Sequence, residues 1–242
     1  MNFILKNLVL KMLFFVQNQL LRLGLLIRHC SPYTDISRVI ELLEVKDCSS
    51  KLVKIGGEKD GSYFVPNVFD RIDFCVSPGV GPSSTFELEL ERDFQISSLM
   101  IDSSVDNPAS ELKNGVHIKK FLSAYTDDKN IDIERATLKA RELFGSQKRG
   151  ILQIDIEGSE FHSLLGKISH ISEHYEILLL EIHFLDLLCF PFFLGLVEAL
   201  LEEINSEYNL VYLNENTCCG KLSFGANKIA RVIELSYLKK NV

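Results

Sequence analysis

The sequence predicts an α/β fold: a mostly parallel sheet with helices on both faces, a closing antiparallel hairpin and additional helices at the N-terminus. Three observations carry this prediction. From Ile72 onward, short apolar runs typical of buried strands alternate with helical segments. Residues 177–182 form an almost continuous apolar run, as expected of a central strand that is covered on both sides. Two segments near the C-terminus alternate apolar and polar residues, which favours an antiparallel pair.

Residues 1–50 are predicted to form a helical appendage, and residues 51–242 the main domain. A chain of 242 residues, 46% of them hydrophobic, can bury one substantial core. Ser31-Pro32 ends the first predicted helix, and residues 35–45 suggest a second one.

The first predicted helix is rich in Leu, Ile and Phe, but Lys6, Lys11 and Arg22 interrupt it. Its longest charge-free stretch, residues 12–21, is too short to span a bilayer, and no cleavable signal peptide is recognisable. An amphipathic helix is therefore predicted. Residues 1–30 can dock on the core, form a homodimer contact, or lie on a membrane surface as a peripheral anchor.

The elements of the main domain follow from local patterns. Residues 52–55 and 63–65 flank Asp60-Gly61, which indicates a hairpin. Ser84 and Glu87 have the spacing of a capping box at a helix start. The further predicted strands are 72–77, 96–101, 116–121, 151–156, 177–182, 208–213 and 232–237, and the helices are 85–93, 132–144 and 192–204. This order indicates a Rossmann-like sheet of seven strands.

Composition excludes few functions. The formal charge of −7 and the pI near 5.4 argue against a nucleic-acid surface, which is normally basic. Six cysteines form no C-x-x-C pair, and the spacing of His and Cys suggests no zinc site, so reduced thiols in the cytoplasm are predicted and no metal.

The run ILQIDIEGSEF, residues 151–161, is the most informative feature. It is an apolar strand that ends in Asp155 and Glu157, whose side chains lie two apart and share one face. Ligands of open α/β sheets gather at the carboxyl ends of the strands, where a packed strand has no need for two acids. A functional site is therefore predicted at this strand end.

A second site signal is the loop 77–84 between the first strand and its helix. Gly79 and Gly81 let the backbone approach a ligand closely, although Ser84 stands where a dinucleotide fingerprint has Gly or Ala. Asp102 ends the next strand, where an acid can accept hydrogen bonds from a ribose diol. Together they indicate an adenosine ligand, either NAD or S-adenosylmethionine.

These residues resemble the FkbM-type family of S-adenosylmethionine-dependent methyltransferases, over roughly residues 54–239. The segments that carry the resemblance are KDGSYFVP, SPGVGPSSTFELEL, MIDSSVDNP, ILQIDIEGSEF, LLLEIH, YLNENTCCG and RVIELSYL. The family often methylates hydroxyls of sugars or natural products. Two departures are the tail run Asn214-Glu215-Asn216-Thr217, where the family has a His-x-Asn-Asn-like run, and Pro78, where a smaller or aromatic residue is usual.

The resemblance implies roles for individual residues. Pro78, Gly79, Val80 and Gly81 would cradle the methionine end of the cofactor. Asp102 would hold the ribose, and Ser103 would lie near the adenine. The residues implied around the adenine pocket and at the methyl group are Leu122, Ser123 and Asp155.

A hydroxyl acceptor benefits from a general base, since it is a poor nucleophile at neutral pH. The candidates at the strand ends are Asp155, Glu157, Glu181 and His183. His183 alone can also be a structural histidine, and the acids can also hold a divalent ion. The other five histidines, His29, His117, His162, His170 and His174, are predicted to be structural or exposed.

The sequence thus predicts an O-methyltransferase with a small-molecule or glycan acceptor. Two alternatives stay open: a degenerate relative that binds without turnover, and an NAD-dependent oxidoreductase, against which the missing third glycine and the terminal hairpin count.

Overall fold

The computed structural model describes residues 3–24, 33–57, 61–106, 108, 112–145, 147–224 and 227–240. The described strands are β1 Leu52–Ile55, β2 Tyr63–Pro66, β3 Ile72–Pro78, β4 Ser97–Ile101, β5 Val116–Ile118, β6 Phe121–Leu122, β7 Asn130–Ile131, β8 Arg149–Ile154, β9 Tyr175–Ile182, β10 Tyr208–Phe224 and β11 Asn227–Lys239. The described α-helices are α1 Phe3–Leu21, α2 Tyr33–Leu42, α3 Thr85–Phe94, α4 Ile133–Phe144, α5 Glu160–Leu164, α6 Ile168–His174 and α7 Pro191–Glu207.

The central sheet has seven strands in the order β10-β11-β9-β8-β3-β4-β5. The five strands from β9 to β5 are parallel, and the C-terminal hairpin β10–β11 joins β9 antiparallel. The predicted α/β class, with a mostly parallel sheet and a closing antiparallel hairpin, is therefore confirmed. The order reverses at β3, because the chain runs outward through β4 and β5 and then returns to β8 on the other side.

Two hydrophobic clusters cover the two faces of the sheet. Along β9, Leu178 and Leu180 belong to the larger cluster, whereas Ile177 and Leu179 belong to the smaller one. This alternation is the period-two pattern of a strand that is buried on both sides. The larger cluster includes residues of α2, α4, α6 and α7, and the smaller one includes residues of α3 and the β1–β2 hairpin. The helix α2, which lies in the predicted appendage, contributes Ile36 to the larger cluster.

Several local predictions were wrong. The strand predicted at 151–156 ends at Ile154, so Asp155 and Glu157 lie in the loop beyond it and not on one face of a strand. The predicted strand 116–121 is divided, because the Lys120 N–H bonds back to the Ile118 carbonyl and turns the chain. The capping box does not form: the Ser84 hydroxyl donates to the Pro108 carbonyl at 2.6 Å, and Glu87 is buried. The closing strands are far longer than predicted, 17 and 13 residues. The predicted turn at Asp60-Gly61 lies partly outside the described residues.

The helix α1 is not the amphipathic helix that was predicted, because its apolar side chains do not collect on one face, and several of them are exposed to solvent. Met12 is 68% exposed, Phe15 65% and, just beyond the helix, Leu23 74%. Within the described ranges, no helix combines the length and the apolar character that crossing a membrane requires.

Candidate active site

A cavity of about 730 Å³ opens at the carboxyl ends of the parallel strands, where the strand order reverses between β3 and β8. This volume lies within the range of roughly 300–1,000 Å³ that is typical of small-molecule sites. The residues that line the cavity are Gly61, Gly79, Val80, Gly81, Pro82, Ser83, Ile101, Asp102, Ser104, Phe121, Leu122, Ser123, Asn130, Asp155, Ile156, Glu157, Ser159 and His162. The fold thus gathers loops from four strand ends at one place.

Gly79 joins the two central loops. A side chain here is excluded because a Cβ atom would lie 1.6 Å from the carbonyl oxygen of Asp155, and φ is +81°. The Gly79 N–H donates to the Ile101 carbonyl at 2.9 Å, and the Asp155 N–H donates to the Pro78 carbonyl at 3.2 Å. The glycine therefore holds the ends of β3, β4 and β8 together beneath the cavity.

Asp102, at the end of β4, organises the glycine loop. One of its carboxylate oxygens accepts from the Gly81 N–H at 2.9 Å, and the other accepts from the N–H and hydroxyl of Ser104 at 2.7 and 2.6 Å. Burial tends to raise the pKa of Asp102, but the hydrogen bonds from Ser104 and Gly81 outweigh it and hold the pKa below its usual range. The carboxylate is therefore ionised at neutral pH.

The far side of the cavity is formed after β6. Leu122 and Ser123 are buried, and the Ser123 hydroxyl lies 3.2 Å from Nε2 of His162. Phe121 lines the rim and is 52% exposed. This wall therefore combines apolar surface with a hydroxyl and an imidazole.

A cluster of acids surrounds His183 beside the cavity. Nε2 of His183 lies 3.4 Å from a Glu157 carboxylate oxygen, 3.7 Å from one of Asp155 and 3.8 Å from one of Glu181. Nδ1 lies 3.1 Å from the carboxylate of Glu160, which is fully buried. The cluster therefore combines five side chains from the ends of β8 and β9 and from α5.

The loops that follow β8 and β9 are held in strained backbone geometry. Glu157 has φ +54° and Phe184, which follows His183, has φ +61°, both in the left-handed region that disfavours side chains. Between them, a Cβ atom on Gly158 would lie 2.3 Å from the Phe184 ring. The Gly158 N–H also donates to Glu160 at 3.2 Å. Strain of this kind persists where the surroundings fix it, and it is concentrated at functional sites.

The acids determine the protonation of His183. Burial alone would lower its pKa, but the hydrogen bond and charge of Glu160, together with Asp155 and Glu181, raise the pKa to about 9. In this environment the imidazole is positively charged at neutral pH. The pair of His183 and Glu160 therefore acts as a fixed, hydrogen-bonded unit.

The structure brings most of the predicted site residues together. Gly79, Val80, Gly81, Asp102, Leu122, Ser123, Asp155 and Glu157 line the cavity. Glu181 and His183 adjoin it through Asp155. Pro78, buried at the end of β3, and Ser103 do not line the cavity; Ser104 does.

Sequence reasoning missed Glu160, Ser104 and His162. The second glutamate of D-I-E-G-S-E was a usable signal for Glu160, because a helix start there turns it back toward the strand end. His162 is exposed, as predicted, but its place in the cavity wall could not be foreseen.

The predicted absence of a metal site stays a prediction, but within the described residues two groups of side chains have donor atoms close enough to share an ion. His170, Glu173 and His174 on α6 have donor atoms within 4.8 Å of one another, since residues four apart share one face of a helix. The donor atoms of Asp155, Glu157 and His183 are equally close.

No protein-family model, no curated protein and no solved structure matches this chain.

Proposed function

We propose that this chain is an S-adenosylmethionine-dependent O-methyltransferase. When bound, the cofactor supplies a methyl group on its sulfonium; the methyl passes to the acceptor oxygen, the sulfonium becomes a thioether, and the acceptor proton is released. Since the methyl carbon is already activated, much of the catalysis can come from positioning. That the acceptor is a sugar or natural-product hydroxyl rests on the resemblance alone.

The strand order supports a Rossmann-like fold of the methyltransferase kind. The parallel strands β3, β4, β5, β8 and β9 can be numbered 1 to 5 in chain order. Across the sheet they then follow the order 3-2-1-4-5, as in the doubly wound folds that bind adenosine cofactors. The hairpin then places the last strand, β11, next to β9 and the sixth, β10, at the edge. The cavity lies at the switch point between strands 1 and 4, which is where such folds bind their ligands.

The charge of the cavity is the observation that carries the choice of cofactor. Three carboxylates line it, those of Asp102, Asp155 and Glu157, and among the described lining residues there is no Lys or Arg. S-adenosylmethionine carries a net positive charge, whereas NAD brings an anionic pyrophosphate. An acidic cavity attracts the first and repels the second.

Asp102 is the residue that we expect to hold the ribose. A carboxylate has about four acceptor positions, and Gly81 and Ser104 use three of them in this structure. Binding both ribose hydroxyls therefore requires the Ser104 hydroxyl to turn away. The two backbone bonds can remain and keep the loop in place.

Asp155 is the candidate general base that the cavity favours. Asp155 lies in the cavity wall, whereas His183 lies behind it and is 9% exposed. His183 and Glu160 would then position Asp155 rather than touch the acceptor.

Calorimetric titration of the purified chain with S-adenosylmethionine, S-adenosylhomocysteine and NAD tests the proposal. We expect micromolar binding of the first two and a loss of at least about tenfold in Asp102→Ala, since a charged hydrogen bond contributes roughly 1.5–3 kcal/mol. Asp106→Ala is the matched control, because Asp106 is exposed in the same segment and pairs with Lys119.

Three results would contradict the proposal in different ways. Binding of NAD alone would point to the oxidoreductase. A folded chain that binds none of the three would be a degenerate scaffold. Equal affinities in Asp102→Ala and Asp106→Ala would remove Asp102 from the cofactor site.

A further inference from the structure

The cluster of acids around His183 contains more carboxylates than the single general base that methyl transfer to a hydroxyl requires. Four carboxylates, those of Asp155, Glu157, Glu160 and Glu181, lie within 4 Å of one imidazole. Three of them, those of Asp155, Glu160 and Glu181, are buried or partly buried, and carboxylates in such places repel one another strongly unless a positive charge lies between them. An imidazolium, with a proton on each nitrogen, has one positive charge and balances only one of these three.

The contacts of the His183 ring divide into two kinds. Nδ1 makes a hydrogen bond to Glu160, a buried carboxylate of the kind that orients metal-binding histidines from behind. Nε2 makes no hydrogen bond to any described residue, although the side chain is only 9% exposed. It faces the carboxylates of Asp155, Glu157 and Glu181 instead.

The distances from Nε2 are too long for strong hydrogen bonds, and the shortest of them matches two atoms that bind one ion. Charge-assisted N–H···O bonds measure about 2.7–2.9 Å, shorter than the 3.4 Å to Glu157 and the 3.7 Å to Asp155. Two donors that each bind one ion at roughly 2.1 Å, at angles of about 90–110°, lie about 3.0–3.5 Å apart. The Glu157 separation falls in that range, and the Asp155 separation lies just beyond it.

We propose that Asp155, Glu157 and His183 bind one divalent cation at the mouth of the cavity, and that the ion replaces the proton on Nε2 of His183, which passes to solvent. Two carboxylates with one imidazole suit Mn²⁺ or a similar first-row ion better than a thiolate-seeking one. Glu157, 81% exposed, can adjust its position, and the left-handed backbone of the loop aims it toward the cluster. Glu160 orients the histidine from behind.

The role of this ion rests on the proposed function. A divalent ion lowers the pKa of an oxygen bound to it, so an acceptor hydroxyl there would give up its proton to solvent or to a nearby carboxylate more readily. The acceptors that fit best offer a second oxygen beside the reacting one, as a sugar diol does, because hard cations favour several oxygen ligands.

The test titrates the full chain with Mn²⁺ and follows free Mn²⁺ by electron paramagnetic resonance, at neutral pH and without cofactor. We expect one site, and in Glu157→Gln an affinity at least tenfold lower. Glu157 is exposed, so this change leaves packing intact. His170→Gln/His174→Gln, which removes the other group of metal-binding side chains, is the matched control and should bind Mn²⁺ as the wild type does.

No Mn²⁺ binding by the folded wild-type chain would overturn the inference, as would equal affinity in Glu157→Gln or loss of binding in the α6 variant. Asp102→Ala separates this inference from the proposed function, because it should lose S-adenosylmethionine and keep Mn²⁺. A wild-type chain that binds S-adenosylmethionine but not Mn²⁺ would support the proposed function and contradict the metal site. A wild-type chain that binds Mn²⁺ but not S-adenosylmethionine would support the metal site and contradict the proposed function.

Discussion

At the scale of single residues, Gly79 is the position in the site where the surrounding backbone leaves no room for a side chain. In Gly79→Ala the new Cβ would collide with the Asp155 carbonyl at 1.6 Å, and both atoms belong to rigid strand ends. We expect a loss of several kcal/mol in unfolding free energy, as strained or overpacked core positions give, and loss of cofactor binding. Gly81→Ala is the control: φ is +63°, but no atom lies within 4 Å of its Cβ. The unfolding free energy of Gly81→Ala should fall by only about 1 kcal/mol. Equal denaturation midpoints of the two variants would contradict this account.

Glu87 gives the molecule a pH dependence of unusual sign. Burial raises its pKa to about 7, and the opposing hydrogen bond from Ser77 does not restore the ordinary value of 4.5. Between these values the folded chain binds a proton that the unfolded chain has lost, so this contribution to stability falls as the pH rises from about 4.5 to 7. The loss amounts to about 3 kcal/mol. Glu87→Gln removes this dependence, and urea denaturation should show the variant gaining about 3 kcal/mol in unfolding free energy on the wild type between pH 4 and pH 8. A gap that stays constant across this range would show that Glu87 is ionised when folded.

At the scale of elements, hydrophobic periodicity was enough to predict the strands of the parallel sheet. Each central strand is short, apolar and flanked by polar turns, so β3, β8 and β9 were found to within a few residues. The lengths of the hairpin strands were underestimated, because the polar residues Asn214, Glu215 and Asn216 continue the backbone pairing beyond the core. Backbone pairing does not require apolar residues, so hydrophobic periodicity cannot predict where such a strand ends.

The site elements were predictable only in part, for a related reason. Asp155 and Glu157 stood out because acids are costly at the end of a buried strand. Ser84 illustrates the limit: its spacing from Glu87 fits a local cap, but a distant carbonyl, that of Pro108, competes for its hydroxyl. Contacts between loops that are far apart in sequence decide such cases. The His183–Glu160 pair was hidden in the same way, since it joins the ends of two different units.

At the scale of the whole molecule, the charge is divided unevenly between α1 and the rest. The chain carries −7 overall, yet residues 3–24 contain Lys6, Lys11 and Arg22 and no acid. The same segment exposes Met12 and Phe15. Apolar side chains beside basic ones are what anionic membrane surfaces bind. The rest of the molecule would be repelled from such a surface, so α1 is the segment that we expect to make the contact.

Vesicle sedimentation checks this expectation. We expect the full chain to sediment with vesicles containing phosphatidylserine, less with neutral vesicles, and less at high salt because the charges are screened. Phe15→Glu should lower binding at least severalfold, since it puts an acid into the apolar contact. Leu138→Glu is the matched control: Leu138 is exposed on α4, far from α1 in sequence, and the same change there should leave binding unaltered. If the chain stays in solution with every vesicle and instead forms a dimer that Phe15→Glu dissociates, a second copy covers α1 and the membrane is excluded.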